Sequence, residues 1–396
     1  MGSNKKYDNK AVLARLKTSC SPAIRLPSRV HFMMEGDSCS IYMSADLACG
    51  NLQTDSSSFE GWALALKTWL GCEVFISWTP AKDVEDRDYQ RFLYRMIRFN
   101  EAVDWFSVAD DCKEYLNDSL VLEPGGTPRE APGYFLVNVP GKRKEVEDDD
   151  VARELSELTE NELENHFFLR PQRLLDCIGW HADIMKQIPV GVFAEEVSKS
   201  SRVFPGAGGK VDLGAVDESK GVALFELKKP GNRKVGSISE LLFYAHVVRD
   251  IQLGIFGYEE EKQRVNERRI SGASSVTGFI LADRLHPLLD NEAFFETLNL
   301  AFSDRNETFG FIKYGGISNE IECERVYPVF FRAFHRTMAY PGSMFARWTE
   351  DNAYLISALL QTSCPHCGER VVHKSRVSMV CPHCGKTIQL LPGRRS

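Results

Sequence analysis

Lys210-Val-Asp-Leu-Gly-Ala-Val-Asp-Glu-Ser-Lys-Gly-Val-Ala-Leu-Phe-Glu-Leu-Lys-Lys229 is the stretch on which the reading of this chain turns. It holds two short apolar runs, 211–217 and 222–228, joined by Asp217, Glu218, Ser219, Lys220 and Gly221, which have turn chemistry. A hairpin is predicted. If it folds symmetrically about Ser219, position 212 lies opposite position 226, and directly opposed residues of an antiparallel pair stand about 5 Å apart. Asp212 and Glu226 then form a carboxylate pair. Side chains alternate along a strand, so Lys228 shares the face of Glu226 while Phe225 and Leu227 point the other way, into a core.

Adjacent carboxylates repel unless a cation lies between them, and hard divalent ions such as magnesium take oxygen ligands of this type. An ion so held activates water and steadies charge on a phosphate oxygen, and a nearby ammonium positions the water or the phosphate. That is the chemistry of phosphodiester hydrolysis. The plainer reading of a Glu-x-Lys is a surface hairpin with a cross-strand salt bridge. Here Glu226 and Lys228 end a strongly apolar strand, where charges need a reason, and the context favours the chemical reading.

Gly209-Lys-Val-Asp212, Phe225-Glu-Leu-Lys228 and Ile238-Ser-Glu-Leu-Leu-Phe-Tyr244 together resemble the PD-(D/E)XK nuclease superfamily, the restriction-endonuclease-like fold, over residues 150–330. The resemblance implies that Asp212 and Glu226 bind magnesium or manganese, that the main-chain carbonyl of Leu227 adds a ligand, and that Lys228 assists the attacking water. It also implies a helix carrying Gln-x-x-x-Tyr after the hairpin. This chain has Glu240-Leu-Leu-Phe-Tyr244, and Glu in place of Gln leaves the role of position 240 open. A further acid is expected on a helix before the hairpin, and Thr159-Glu-Asn-Glu-Leu-Glu-Asn-His-Phe-Phe168 offers Glu162 or Glu164. Glu195 or Glu196, on a strand expected at Val190–Val197, is a weaker candidate for reaching the same ion.

At 396 residues, with 43% hydrophobic and 26% charged residues, the chain can build a substantial core and two or three domains. Its net charge of -7 gives no overall attraction to polyanions, so nucleic-acid contact needs local basic patches. Eleven cysteines would suit a secreted disulfide protein, but no apolar run follows Lys5 and Lys6. A reducing compartment, cytoplasm or nucleus, is expected, and no stretch reaches the roughly 20 apolar residues of a membrane span.

Residues 1–27 read as a polar, basic arm that orders on contact, with a short helix around Ala11 to Leu16. From 28 to 135 the pattern suggests a small α+β domain of unknown role. Val30–Met34 and Cys39–Met43 read as strands around a turn, Ser58–Leu70 as an amphipathic helix capped by serine, and Glu73–Trp78 as a strand. A second helix carries Tyr89, Phe92, Leu93 and Met96, with Arg91, Arg95 and Arg98 along a face expected to be solvated rather than bound to phosphate. Pro/Gly-rich and charged text marks 136–152 as linker, and 153–350 is the expected nuclease-like domain. Within it Pro205-Gly-Ala-Gly-Gly209 is a flexible approach whose amides could admit a phosphate.

Residues 358–396 carry the most specific signal: Cys364-Pro-His-Cys367-Gly and Cys381-Pro-His-Cys384-Gly, separated by 13 residues. Four thiolates at that spacing wrap a tetrahedral zinc, with every coordination position filled by sulfur, so the ion is structural. The segment resembles a zinc ribbon. Six Lys/Arg stand against the single acid Glu369 from Gln361 to Ser396, which suits nucleic acid, although ribbons also bind proteins.

The fold class expected is thus α/β, a mixed sheet flanked by helices, preceded by a small α+β domain and followed by a zinc ribbon. The function expected is a magnesium- or manganese-dependent nuclease acting on DNA in a defence or repair setting. A protein partner at the N-terminal domain or the ribbon, and an oligomer, are both compatible with it. The rival is a binding module for nucleic acid or protein that keeps the fold and has lost cleavage.

Overall fold

Helices buried on every side must be covered on every side, and this requirement organises the molecule. The computed structural model describes residues 7–141, 152–205, 209–217, 219, 221–318 and 320–327, with four short strands between 361 and 389. In chain order the first part contains α1 (Asn9–Ser19), β1 (His31–Glu35), β2 (Ser38–Met43), α2 (Ala45–Ala48), α3 (Phe59–Leu70), β3 (Glu73–Trp78), α4 (Arg87–Ala102) and β4 (Phe106–Val108). β1 and β2 are the expected hairpin; β2, β3 and β4 then run parallel, giving a sheet ordered β1-β2-β3-β4.

The chain continues through β5 (Phe135–Val137), α5 (Glu160–Leu169), α6 (Gln172–Ile178), β6 (Ile184–Pro189), β7 (Val192–Ala194), β8 (Lys210–Asp217) and β9 (Gly221–Leu227). After these come α7 (Gly236–Gln252), β10 (Phe256–Tyr258), α8 (Val265–Gly272), β11 (Val276–Ala282), α9 (Glu292–Phe302), β12 (Glu307–Ile317) and β13 (Glu320–Arg325). Six strands form one mixed sheet, ordered β13-β12-β11-β9-β8-β6. β9, β11 and β12 are parallel in its middle, and β8, β6 and β13 are antiparallel to their neighbours. β10, β5 and β7 make a separate three-stranded sheet. The class is α/β, mixed sheets flanked by helices, as expected.

The two faces of the six-stranded sheet bury different cores. Val216, Val222, Leu224 and Ile280 join the large core that runs from Val12 to Phe311 and takes in α7. Leu213, Ala215, Phe225, Leu227 and Phe279 face the other way, under α5 and α6. The alternation that places Phe225 and Leu227 opposite Glu226 is therefore present.

The first part of the chain is not a separate domain. Residues up to 331 cluster as one compact unit, which holds both the first sheet and the six-stranded sheet, and 332–396 as a second. Trp62 through Leu66 are all buried, because one side of α3 covers its own sheet while the other packs on α7 and α9. The Trp69 indole donates to Leu288 O at 2.9 Å across that contact. The short helix expected around Ala11 to Leu16 is α1, and it is docked through fully buried Val12 and Leu16 rather than lying in a loose arm. Ser58 does not cap α3, since its hydroxyl donates to Leu52 O instead.

The arginines of α4 do not lie on a solvated face. Arg95 forks onto Glu60 at 2.8 and 2.5 Å, and Arg98 onto Asp250 at 3.0 and 2.8 Å, with both arginines 1% exposed. Helical spacing of charge looks the same on a wet face as on one that meets buried carboxylates, and Asp250 lies 152 residues away. The strand expected at Val190–Val197 is also displaced. β6 ends at Pro189, which brings no amide to extend a ladder, and Val192–Ala194 then pairs with β5 in the other sheet. Glu195 and Glu196 leave the hairpin with it.

In the second unit, β14 (Gln361–Ser363) pairs with β15 (Arg370–Val372), and β16 (Ser378–Val380) with β17 (Thr387–Gln389), both antiparallel. Cys364, Cys367, Cys381 and Cys384 lie outside the described residues, as do 142–151 of the expected linker. Among the described residues no helix is long and apolar enough to cross a membrane.

Candidate active site

The hairpin β8–β9 turns as its sequence demands. Asp217 Oδ1 accepts from the Ser219 amide at 2.9 Å and from its hydroxyl at 2.6 Å, and Gly221 takes φ of 105°, open to glycine. The pairing runs from Asp217↔Gly221 to Leu213↔Phe225, and the next position in that register sets Asp212 across from Glu226. There the ladder changes: Asp212 Oδ2 accepts from the Leu227 amide at 2.8 Å. On the other side of β8 the β6 register leaves out Gln187, the residue that would oppose Asp212, and Gln187 has the left-handed φ of 53°. The sheet is interrupted along one row, and its acids stand in the gap.

Lys228 leaves β9 with its backbone fixed twice. Its amide donates to Leu281 O at 2.9 Å, and its carbonyl accepts from the Tyr314 hydroxyl at 2.8 Å. Its ammonium lies between two acids, touching Glu226 Oε1 and standing 2.8 Å from Glu240 Oε2. Glu240 comes from α7, and its other oxygen accepts from Tyr244 at 2.9 Å, one helical turn on, and from Gln53 Nε2. Glu240 thus clamps the lysine, a role that its place in the sequence left open.

Gln53 was not identified from sequence, and nothing local marks it. Its loop is pressed against the start of α7. Asp55 Oδ1 accepts from the Val235 amide at 2.8 Å, and a Cβ at Gly236 would stand 2.3 Å from Gln53 O. Only glycine allows that approach.

Of the two helix acids, the structure brings in Glu164. Glu162 is the capping partner of Thr159, accepting from its amide at 2.7 Å and its hydroxyl at 2.8 Å, and it pairs with Arg153. Those hydrogen bonds hold the Glu162 carboxyl down at about 2. Glu164 is buried against β6, accepting from Gln187 at 3.4 Å with Lys186 Nζ at 3.8 Å. Lys186 in turn donates to Asn165. Sequence reasoning missed Lys186 and Gln187, though polar residues inside the apolar run Ile184–Val192 carry the same signal as Lys228.

The electrostatics are those of a crowded acidic cluster. Asp212 keeps part of its surface in solvent but is otherwise enclosed, and burial pushes its carboxyl up to about 7 against the opposing pull of Lys228. Burial, then Asp212 and Glu240, hold Glu226 well above the usual carboxylate range. Burial acts on Glu240 in the same sense, but Lys228 wins and keeps it below that range. Burial would discharge Lys228; Glu226 and Glu240 overcome it and raise its affinity for the proton. Burial also raises Glu164.

Asp212, Glu226, Glu240 and Glu164 outnumber the buried cations Lys228 and Lys186. Glu226 Oε2 and Glu164 Oε1 are buried without a hydrogen-bond partner. An excess of acid with orphaned oxygens fits a divalent cation. Among the described residues no three His, Cys, Asp or Glu side chains already converge as a metal site; Lys228 stands between Glu226 and Glu240.

No protein-family model and no curated protein matches the chain. Among solved structures it is similar to a repair endonuclease from Pyrococcus abyssi at 17% identity and a TM-score of 0.21. The match covers 40% of this chain and 48% of that one, so the chain spans about half of the endonuclease's length. A superposition of that quality carries no argument about chemistry, which rests on the residues themselves.

Proposed function

We propose that the chain is a divalent-metal-dependent nuclease of the PD-(D/E)XK type, hydrolysing phosphodiester bonds of DNA. The observation that carries this reading is the interrupted row of the sheet, where Asp212 and Glu226 are opposed and Glu226 Oε2 has no partner. Asp212, Glu226 and the Leu227 carbonyl would hold magnesium or manganese, with Glu164 completing the shell. The ion would supply Lewis acidity for the phosphate and a lowered pKa for water.

The chain's own residues do the rest. Lys228, anchored through both its amide and its carbonyl, presents an ammonium that orients the attacking water or a phosphate oxygen. Glu240 and Tyr244 fix where that ammonium sits. Ligation requires both Asp212 and Glu226 to be ionised, so binding the ion releases the protons that burial retains there.

The cysteine pairs of 364–384 would hold one structural zinc, supported by their spacing and by the strand pairs β14–β15 and β16–β17 that bracket them. Cys364→Ser is expected to lower zinc content by one ion per chain.

The rival, a binding module without cleavage, is favoured by one observation: the Lys228 ammonium already occupies the space between Glu226 and Glu240. The two are separated by incubating the full chain with plasmid, linear duplex and single-stranded DNA in magnesium, manganese or EDTA. Cleavage that needs the metal and is lost in Glu226→Gln supports the nuclease; binding without cleavage under every metal condition supports the rival.

A further inference from the structure

Beside the acidic row lies a cleft of about 430 Å³, within the range of small-ligand sites. Its lining includes Gln53, Asp88, Arg91, Gly209, Glu240 and Tyr244. Residues far apart in the chain meet there beside Glu240, the carboxylate that clamps Lys228. We propose that this cleft receives the sugar-phosphate backbone of a nucleic-acid strand, and that Arg91 is its phosphate ligand. That the bound strand is led to Glu226 and Lys228 rests on the nuclease reading; the binding itself does not.

The three arginines of α4 differ in what holds them. Arg95 and Arg98 are spent on Glu60 and Asp250, carboxylates that are themselves buried. Arg91 is 9% exposed and its Nη2 donates to Gly50 O at 3.0 Å and Asp88 Oδ1 at 2.6 Å, while its Nε has no partner. Asp88 is the half-exposed member of that pair, at 40%, and it lines the cleft. A solvated carboxylate can yield to a phosphate, whereas Glu60 and Asp250 have no water to turn to.

The guanidinium is also under-compensated. Burial pulls its pKa down to about 10, against partial support from Asp88, so it remains charged at neutral pH and lacks a full counter-ion. A planar fork in that position suits phosphate oxygens.

The test is equilibrium binding of the full chain, in calcium rather than magnesium, to labelled single-stranded DNA, duplex DNA and RNA across 50–200 mM salt, on the order of the range where phosphate contacts register. Arg91→Gln is expected to weaken binding about tenfold and to flatten the salt dependence by about 0.7–0.9 in log-log slope, the contribution of one phosphate contact. Arg91→Lys should restore the slope, and Asp88→Asn should tighten binding by removing the competing carboxylate.

Wild-type affinity and slope in Arg91→Gln, or no binding of any strand by the wild type, overturns the proposal. If Arg91→Gln fails to fold, Asp88→Asn decides, and unchanged binding in that variant overturns it. Arg91-dependent binding without cleavage in any metal defeats the nuclease reading and leaves this one standing. Metal-dependent cleavage with Arg91-independent binding does the reverse.

Discussion

Arg95 and Arg98 on α4, and Glu226 and Lys228 at the end of β9, are all buried, yet they are partnered in opposite ways. Each arginine meets one buried carboxylate through two nitrogens, and Arg98 gains Gly126 O at 3.0 Å besides. Around Lys228 two acids share one ammonium, a third faces them across the strand, and an oxygen of Glu226 is left over. A satisfied pair fixes packing; an unsatisfied excess of one sign is retained only where something else is to be bound. In the first set the pair of Arg95 with Glu60 ties α4 to α3 and that of Arg98 with Asp250 ties α4 to α7, whereas the second keeps an oxygen with no partner.

The contrast is broken most directly by removing one charge from each set. Glu226→Gln and Lys228→Ala should each lower metal-dependent cleavage by about 10²–10⁴-fold, in the manner of lost acid-base or ligand groups, with an unchanged circular dichroism spectrum. Normal cleavage by either variant would remove the acidic row from the mechanism. Arg98→Ala should instead cost about 3 kcal/mol in urea denaturation, because Asp250 Oδ2 loses both guanidinium nitrogens in the interior and Asp250 keeps, among the described residues, only Arg305 as a cationic partner. A loss below about 1 kcal/mol would show that the α4 pair is not a structural one.

Acidity sharpens the same comparison. With Asp212 pushed up to about 7, cleavage should fall as the pH drops through that value, by roughly tenfold per unit below it. A profile flat from pH 8 to about 5 would contradict the enclosed state of Asp212. The smallest effect is on stability. Between the ordinary carboxylate value of 3.8 and about 7, the folded chain keeps a proton that the unfolded chain releases. Stability contributed by Asp212 is thus present at low pH and lost as pH rises through that window. Asp212→Asn should raise Tm by a few degrees at pH 8 and leave it unchanged near pH 4, while abolishing cleavage.

How much of the molecule was legible depends on how far each partner lies along the chain. The hairpin could be read because period-two alternation and turn chemistry are local, and its register about Ser219 is the one the sequence symmetry predicts. The choice between Glu162 and Glu164 was also written in the sequence, since Thr159-x-x-Glu162 is a capping box and a capping acid is already committed. Partners remote in the chain could not be read. Gln53 reaches Glu240 across 187 positions and Arg98 reaches Asp250 across 152, and no periodicity encodes either contact. The shared core was half visible: the run Trp62–Leu66 is too apolar for a helix with one wet side, and that continuity signals a second layer.

Gly236 has a consequence for how this molecule can be taken apart. By letting the Gln53 main chain lie directly on the first turn of α7, it makes an N-terminal loop part of the wall around Glu240. The half that carries the acidic row is therefore not a portable cassette. A graft that began at residue 152 would carry Asp212, Glu226 and Lys228 intact and still arrive with its lysine clamp unbraced, so any recombination that exchanges the leading segment rewires the centre it never touches.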